Sequence, residues 1–415
     1  MGEVTNLSDG YPWGFWIGLD ILVGIALAAG GFVMAGLVHI FGGHRFHPLA
    51  RPAILTALLG YLLFIFALMV DLGRPWNIWR ALFSWNHYSP MFEVAWCVMF
   101  YTFVLCLEFL PAVFERFGLS RLHRLWHATV PFVIMAVLGL FTFAMSASAR
   151  WALAIVALLA GWELLMRLGV MARDRQMPVL LIMAGIMLST LHQSSLGTLF
   201  LITDKLNPLW YTPVLPLLFF LSAVMAGPAM VIVEAMISAR VRRRDPELPL
   251  LAALGRAMPY LLGLYLLVRV GDILARGVVL GAMNASLVSG WWWLEIGLVL
   301  TALALFAAPD VVRHPRWLLV AASATVGALV VQRTGVAIVG IDVPEYAPYV
   351  PAVSEVLVTV GIVALGLLAF RLATAFLPIY ESDERAASAA AMHVGRARQP
   401  AASPAYSRAG RPGGP

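Results

Sequence analysis

The stretch MPVLLIMAGIMLSTLHQSSLGTLFLI (177–202) decides the class of fold, because it is an almost unbroken apolar run. A helix needs about 20 apolar residues to cross a bilayer, and this run is longer than that. Four consecutive polar residues, from His192 to Ser195, interrupt it. Polar side chains in hydrocarbon cost free energy unless they are paired or hydrated. We therefore predict a transmembrane helix that carries a candidate functional site.

The rest of the chain repeats this pattern. It is 61% hydrophobic and 12% charged, whereas soluble domains carry about 25% charged residues. The sequence therefore predicts an all-α polytopic membrane protein. Its transmembrane domain covers 15–378, between a short segment (1–14) and a tail (379–415) whose Ala, Pro, Gly, Ser and Arg content predicts disorder. The first residues lack the basic and apolar regions of a cleavable signal peptide. Eleven spans are predicted: 15–40, 52–71, 92–110, 128–146, 150–171, 177–202, 211–238, 250–276, 289–308, 316–336 and 350–377.

Basic residues are distributed unequally between the two sets of loops that eleven spans create. One set has six, at Arg74, Arg80, Arg150, Lys205, Arg276 and Arg333. The other has fourteen before the tail is counted, at positions 45, 51, 116, 121, 124, 167, 173, 175, 240, 242, 243, 244, 313 and 316. The positive-inside rule places the richer set in the cytoplasm. We therefore predict that the N-terminus lies outside the cytoplasm and the C-terminus inside it. These arginines suit anionic membrane lipid and require no nucleic acid.

Resident redox cofactors are not expected. The two cysteines, Cys97 and Cys106, are nine residues apart and would face opposite sides of a helix. The chain has no CxxC motif for an iron–sulfur cluster. A b-type haem needs two histidines at one depth, whereas His39 and His192 lie at different depths of their spans. We expect no intrinsic haem, iron–sulfur cluster or other metal site.

Ionisable and polar residues concentrate in the outer halves of the spans, at Asp20, Tyr61, Glu93, His192 and Gln193. Oxidation of a lipid-soluble quinol releases two protons and two electrons, so it needs a carboxylate or histidine near the head group. These residues are therefore candidates for a quinone site.

Two helical spacings predict ion pairs. Arg269 and Asp272 are three residues apart, and Glu163 and Arg167 are four apart. Both spacings place the side chains on one face of a helix. Membership of a proton path is the alternative for Glu163.

Five blocks of sequence together resemble the NrfD/PsrC family of membrane subunits, and most closely its HybB-type branch, named for a subunit of a nickel–iron hydrogenase. The resemblance runs from about Gly10 to Pro378, apart from a probable two-helix insertion at 127–176. The blocks are GYPWGFWIGLDILVGIALAAGGF (10–32), RPAILTALLGYLLF (51–64), DLGRPWNIW (71–79), FEVAWCVMFYTFVLCLEFLPAVFERFG (92–118) and LSTLHQSSLGTLFLI (188–202).

The resemblance implies two four-helix bundles with flanking helices and no redox cofactor. It implies menaquinone or ubiquinone as a substrate bound near the outer face. By motif position, Tyr61, Glu93 and His192 match the family's quinone pocket. Asp20 matches an acid of the first helix in the HybB type.

The resemblance also implies partners. The family docks an extracytoplasmic ferredoxin-like iron–sulfur subunit, which connects it to a catalytic redox subunit, so the chain would not be active alone. The catalytic partner stays open between hydrogenase, sulfur, molybdenum and multihaem enzymes, and some members are proposed to translocate protons.

Two other functions stay open. A proton-coupled transporter would show paired repeats and a site at the membrane midplane, and the sequence contains no evident repeat. A passive membrane anchor would need neither Glu93 nor His192 inside its spans.

Overall fold

The computed structural model describes residues 4–11, 13–40, 43–169, 179–243 and 245–380. Within these ranges, eleven helices are long and apolar enough to span a membrane, which confirms the predicted fold class. The predicted tail lies outside the described residues from position 381 onward. The helices are α1 (Trp16–His39), α2 (His47–Asp71), α3 (Pro90–Arg116), α4 (Ser120–Ser146), α5 (Ala149–Arg167), α6 (Val179–Leu199), α7 (Leu215–Val241), α8 (Leu248–Arg276), α9 (Leu287–Ala307), α10 (Pro315–Val339) and α11 (Val353–Phe376).

The helices form two four-helix bundles with three flanking helices. Helices α1, α2, α3 and α6 surround the first core, and α7, α8, α9 and α10 surround the second. Contacts of α1 and α6 with α7 join the bundles. Small residues permit this close approach, since a Cβ atom at Gly30 would lie 3.1 Å from the carbonyl oxygen of Gly227. The side on which α1 begins is called the N-terminal face below, and the side on which α11 ends the C-terminal face.

The helical hairpin of α4 and α5 lies beside the first bundle, against α3 and α6. Helix α4 buries a stripe of apolar residues that includes Trp126, Val130 and Ile134, at the spacing of one helical face. Helix α5 buries only Glu163 and Met166. The predicted pair is confirmed, with Arg167 Nε 2.8 Å from Glu163 Oε1. The hairpin therefore adds two spans without entering either bundle.

Helices α1 and α10 contain π-helical turns at the N-terminal face, over Trp16–Ile21 and Gly335–Val339. The two turns contact each other, and Gly18 lies against Ile338. π-Helical turns are rare in proteins, and those that occur often lie at functional sites. The N-terminal face is therefore a candidate location for a functional site.

A buried carboxylate holds α11 to the rest of the N-terminal face. Glu355 is 0% exposed, and its Oε1 accepts a 2.7 Å hydrogen bond from the Tyr349 hydroxyl. Its Oε2 accepts from the backbone N–H groups of Ala352 at 2.6 Å and Asn6 at 3.3 Å. Trp16 Nε1 donates to the Glu355 carbonyl at 2.9 Å. One side chain thus joins the start of α11, the preceding loop and the N-terminal segment.

This arrangement leads to a pH prediction. Burial and the hydrogen bond to Glu355 raise the pKa of the Tyr349 phenol above its ordinary value of 10.0. The unfolded chain therefore loses this proton at a lower pH than the folded protein. The stability that Tyr349 contributes is complete below about pH 10 and falls as the pH rises toward the folded-state value. We expect Tyr349→Phe to flatten the alkaline decline of the thermal unfolding midpoint. Equal declines in both proteins between about pH 9 and 11 would contradict this.

Candidate functional site

Tyr61 and His192 form a hydrogen-bonded pair inside the first bundle. The Tyr61 hydroxyl is 2.8 Å from His192 Nδ1, and both side chains are 0% exposed. His192 lies seven residues before the end of α6. It is therefore about 10 Å from that end at 1.5 Å per residue. The structure thus brings two of the predicted site residues together, in the half of the bundle nearer the N-terminal face.

Unpaired polar atoms surround this pair. Tyr101 stacks edge to face on Tyr61 with a centroid distance of 4.7 Å. Among the described residues, the Tyr101 hydroxyl, Ser189 Oγ and His192 Nε2 are buried without a partner at full hydrogen-bond geometry, although Ser189 Oγ lies close enough to the Tyr61 and Tyr101 hydroxyls to interact with both. Buried polar groups are nearly always satisfied, so such a group requires an explanation. His192 Nε2 has no such neighbour, which indicates a position that a polar ligand or water completes.

Gln193 connects this site to the second bundle. Its Nε2 donates to the Ile25 carbonyl at 3.4 Å, and its Oε1 accepts from Arg333 Nη2 at 3.3 Å. Arg333 also donates to the Phe219 carbonyl at 2.9 Å, and its guanidinium carbon lies 3.5 Å from the centroid of the Phe219 ring. Gln193 therefore orients a buried cation at the junction of the bundles.

The assignment of Arg333 to an outer loop is wrong. It lies within α10 and is 0% exposed, because the π-helical turn carries the helix on to Val339. Its position inside the predicted 316–336 span was the available signal. A charge within a span marks a functional position by default. Arg333 was nevertheless counted as a residue of an outer loop.

Glu93 lies apart from the Tyr61–His192 pair. It is half-buried in the first turn of α3, and within the described residues its carboxylate makes no hydrogen bond or ion pair. Glu93, Cys97 and Tyr101 follow one another at four-residue intervals, so they share a face of α3. At 1.5 Å per residue, Glu93 is about 12 Å from Tyr101 along the helix. It therefore lies between the buried pair and the N-terminal face.

Asp20 faces a different neighbour. Its Oδ2 accepts a 2.8 Å hydrogen bond from Thr359 of α11. The structure thus places it at the contact between α1 and α11, with no direct contact to the Tyr61–His192 pair among the described hydrogen bonds.

The second bundle contains a fully satisfied ion pair. Arg269 Nε and Nη2 donate to the two oxygens of Glu295 at 2.9 and 3.2 Å, and the Tyr265 hydroxyl donates to Oε1 at 2.6 Å. The predicted pair of Arg269 with Asp272 is wrong, since Asp272 pairs with Arg276 at 2.6 Å. A carboxylate on the facing helix offers Arg269 two parallel bonds, which a residue three positions away on its own helix does not.

Within the described part of the chain, no two fully buried histidines lie together to hold a haem between two axial imidazoles. Among the described side chains, His192 is the only fully buried histidine, and its Nδ1 is occupied by Tyr61. The close pair His39 and His47 lies at the C-terminal face, where the two rings contact each other edge to face.

These features define a class of protein: a polytopic helical membrane protein with a buried, incompletely satisfied polar site near one face. The particular family follows from comparison. The family described as "Polysulphide reductase, NrfD" matches residues 3–344, and the chain belongs to it.

Relatives cover nearly the whole chain. The "Probable Ni/Fe-hydrogenase 2 b-type cytochrome subunit" of Escherichia coli K12 is 29% identical over 91% of this chain and 86% of its own length. The "Menaquinone reductase, integral membrane subunit" of Nitratidesulfovibrio vulgaris is 26% identical over 92% of this chain and 86% of its own length. A further protein of N. vulgaris is 32% identical over 92% and 89%.

Proposed function

We propose that this chain is the quinone-reactive membrane subunit of a respiratory oxidoreductase complex. The observation that carries the proposal is the buried Tyr61–His192 pair, whose His192 Nε2 has no partner, with the Tyr101 and Ser189 hydroxyls beside it. A quinol head group offers two hydroxyls on a flat ring, and such a ligand matches polar atoms set among aromatic rings. The relative whose name states menaquinone reduction supports this class of substrate. Either menaquinone or ubiquinone satisfies the chemistry.

His192 Nε2 is the proton acceptor in this proposal. The Tyr61 hydroxyl can donate to Nδ1 or accept from it, so His192 can present either a lone pair or a proton at Nε2. A base must lie within hydrogen-bond reach of the proton it removes. A quinol hydroxyl against Nε2 meets that requirement and satisfies the unpaired nitrogen. Tyr61 then sets the tautomer and orientation of the imidazole.

Glu93 carries protons from this site toward the N-terminal face. Its carboxylate is half-buried and free of hydrogen bonds and ion pairs among the described residues, so it can accept a proton without first breaking a contact. Its position about 12 Å from Tyr101 requires intervening water. Asp20 is assigned to the same proton exit, because it lies in the first turns of α1, near the N-terminal face.

We expect Glu93→Gln to lower quinol oxidation by the purified complex, because the amide cannot exchange protons. Loss of a positioned acid or base typically costs about 100-fold or more. Glu163→Gln is the matched control, since Glu163 is a buried acid of α5 outside both bundles. Equal activities of Glu93→Gln, Glu163→Gln and the unaltered protein, with assembly intact, would refute the role of Glu93. Such a result would favour the alternative function, a passive membrane anchor.

The N-terminal face is assigned to the extracytoplasmic side of a bacterial inner membrane. Removing the buried Arg333 from the basic-residue count strengthens this orientation by the positive-inside rule. The loop between α2 and α3 exposes large aromatic residues on that face, including Trp76 at 69% and Tyr88 at 96%. We assign it as the docking surface for a ferredoxin-like iron–sulfur subunit, which leads to a catalytic subunit. Polar substitutions of Trp76 and Tyr88 that leave copurification of such a subunit unchanged would refute the docking surface.

The proposal includes no resident haem, because His192 is the one fully buried histidine among the described side chains and its Nδ1 lies against the Tyr61 hydroxyl. The name of the E. coli relative states a b-type cytochrome subunit, so the absorbance of the purified chain after chemical reduction is the direct test. A b-type haem band in stoichiometric amount would contradict the proposal.

A further inference from the structure

Arg333 is a buried cation that proton transfer from a quinol to His192 leaves without a role. Its side chain is 0% exposed, yet Nε and Nη1 have no hydrogen-bond partner. Within the described residues, the ion pairs involve other arginines, and none includes Arg333. Its contacts are two oxygen acceptors, on Gln193 and Phe219, and the face of an aromatic ring. These contacts leave the full positive charge uncompensated.

Glu295 is a nearby acid, but its charge is already neutralised. Arg269 binds both of its oxygens, and Tyr265 donates a further hydrogen bond. Arg269, Glu295 and Arg333 together therefore carry a net charge of one positive unit. Burying an unpaired charge is far more costly than burying a neutral hydrogen-bonded group. An anion beside Arg333 would remove that cost.

The surroundings of Arg333 suit a small anion. Gln193 holds one guanidinium nitrogen by its side-chain oxygen, which leaves Nε and Nη1 free to donate. His192 interacts electrostatically with Arg333, and its Nε2 is buried and unpaired. The guanidinium also lies against the Phe219 ring, which shields it from water. Arg333 and His192 belong to helices of different bundles, α10 and α6.

We propose that Arg333 and His192, with Gln193 as a positioning residue, form a buried site that binds a group carrying one negative charge. When quinol is the source of the anion, this rests on the function proposed above. The quinol O–H bond breaks and the proton forms a bond to His192 Nε2. The oxygen keeps the electron pair and faces Arg333 as an anion. A free monovalent anion such as chloride is the other source.

Chloride titration of the purified protein tests the site independently of turnover. Chlorine NMR line broadening would be measured in gluconate buffer of constant ionic strength, with thermal unfolding midpoints in the same solutions. We expect saturable broadening and a chloride-dependent rise of the midpoint. Both should be lost in Arg333→Met and kept in Arg333→Lys. Arg276→Gln is the control, because Arg276 has its own partner in Asp272 and lies at the C-terminal end of α8.

The outcomes separate the anion site from the quinone assignment. Displacement of bound chloride by a quinol supports the site with the substrate as a source of the anion. Saturable broadening that a quinol does not displace supports the site with free anion as its ligand, and counts against the quinone assignment. Identical chloride responses in the unaltered protein and Arg333→Met overturn the site. An Arg333→Met midpoint that falls equally with and without chloride shows a purely structural arginine and also overturns it.

Discussion

His192→Ala should lower quinol oxidation by the assembled complex by between about 100-fold and about 10,000-fold, the range for loss of a positioned general base. The physical reason is the free Nε2, which is buried with no partner while Nδ1 is held 2.8 Å from the Tyr61 hydroxyl. Alanine removes the proton acceptor and leaves the Tyr61 hydroxyl without its partner. Steady-state oxidation of a short-chain quinol, with an artificial electron acceptor for the catalytic subunit, measures the effect.

His314→Ala is the matched control for this experiment. His314 is an exposed residue of the loop between α9 and α10, where its Nδ1 contacts the Asp310 carbonyl. Its variant should keep full activity. Comparable thermal unfolding midpoints would show that both variants fold. Turnover of His192→Ala within about twofold of the unaltered protein would remove His192 from the mechanism.

The Arg269–Glu295 pair should have the largest effect on stability. Arg269→Met leaves Glu295 as a buried carboxylate without its cation, and breaking a buried pair on one side costs about 3–5 kcal/mol. Replacing both residues, as Arg269→Met with Glu295→Leu, removes both charges and should recover most of that loss. The Tyr265 hydroxyl would still lose its acceptor, which costs about 1 kcal/mol. Free energies of unfolding from SDS titration in mixed micelles measure these differences.

Arg313→Gln provides the comparison for an exposed pair. Arg313 lies 3.9 Å from Asp310, and both side chains are largely in solvent. Exposed pairs contribute at most about 1 kcal/mol, so its variant should unfold almost like the unaltered protein. A double variant of Arg269 and Glu295 that is no more stable than Arg269→Met would contradict the buried-pair account.

The spans were predictable because hydropathy is a property of each segment alone. All eleven predicted spans have a counterpart in the structure, with boundaries shifted by up to eight residues, the largest shift being at the start of α4. The ion pair of Glu163 and Arg167 was also local, since four residues separate the partners on one helix. Local patterns therefore predicted the helices and the Glu163–Arg167 pair.

Contacts between helices were harder to predict. Arg269 bonds to a facing helix in preference to Asp272, and sequence spacing contains no information about that helix. Arg333 was missed because the count of basic loop residues included a residue within a span. Resemblance selected Tyr61 and His192 from separate motifs, and the structure shows their atoms 2.8 Å apart. It also shows Asp20 bonded to α11, which no motif indicated.

The central claim is that quinone binds beside the Tyr61–His192 pair, and photolabelling with an azidoquinone tests it most directly. The complex would be illuminated in its membrane, and the labelled peptides of this chain would be identified by mass spectrometry. The account predicts labels on α2, α3 and α6 near Tyr61, Tyr101 and His192, with labelling suppressed by excess quinol and lost in His192→Ala. Labels confined to α4 and α5, or unchanged by excess quinol and by His192→Ala, would contradict it.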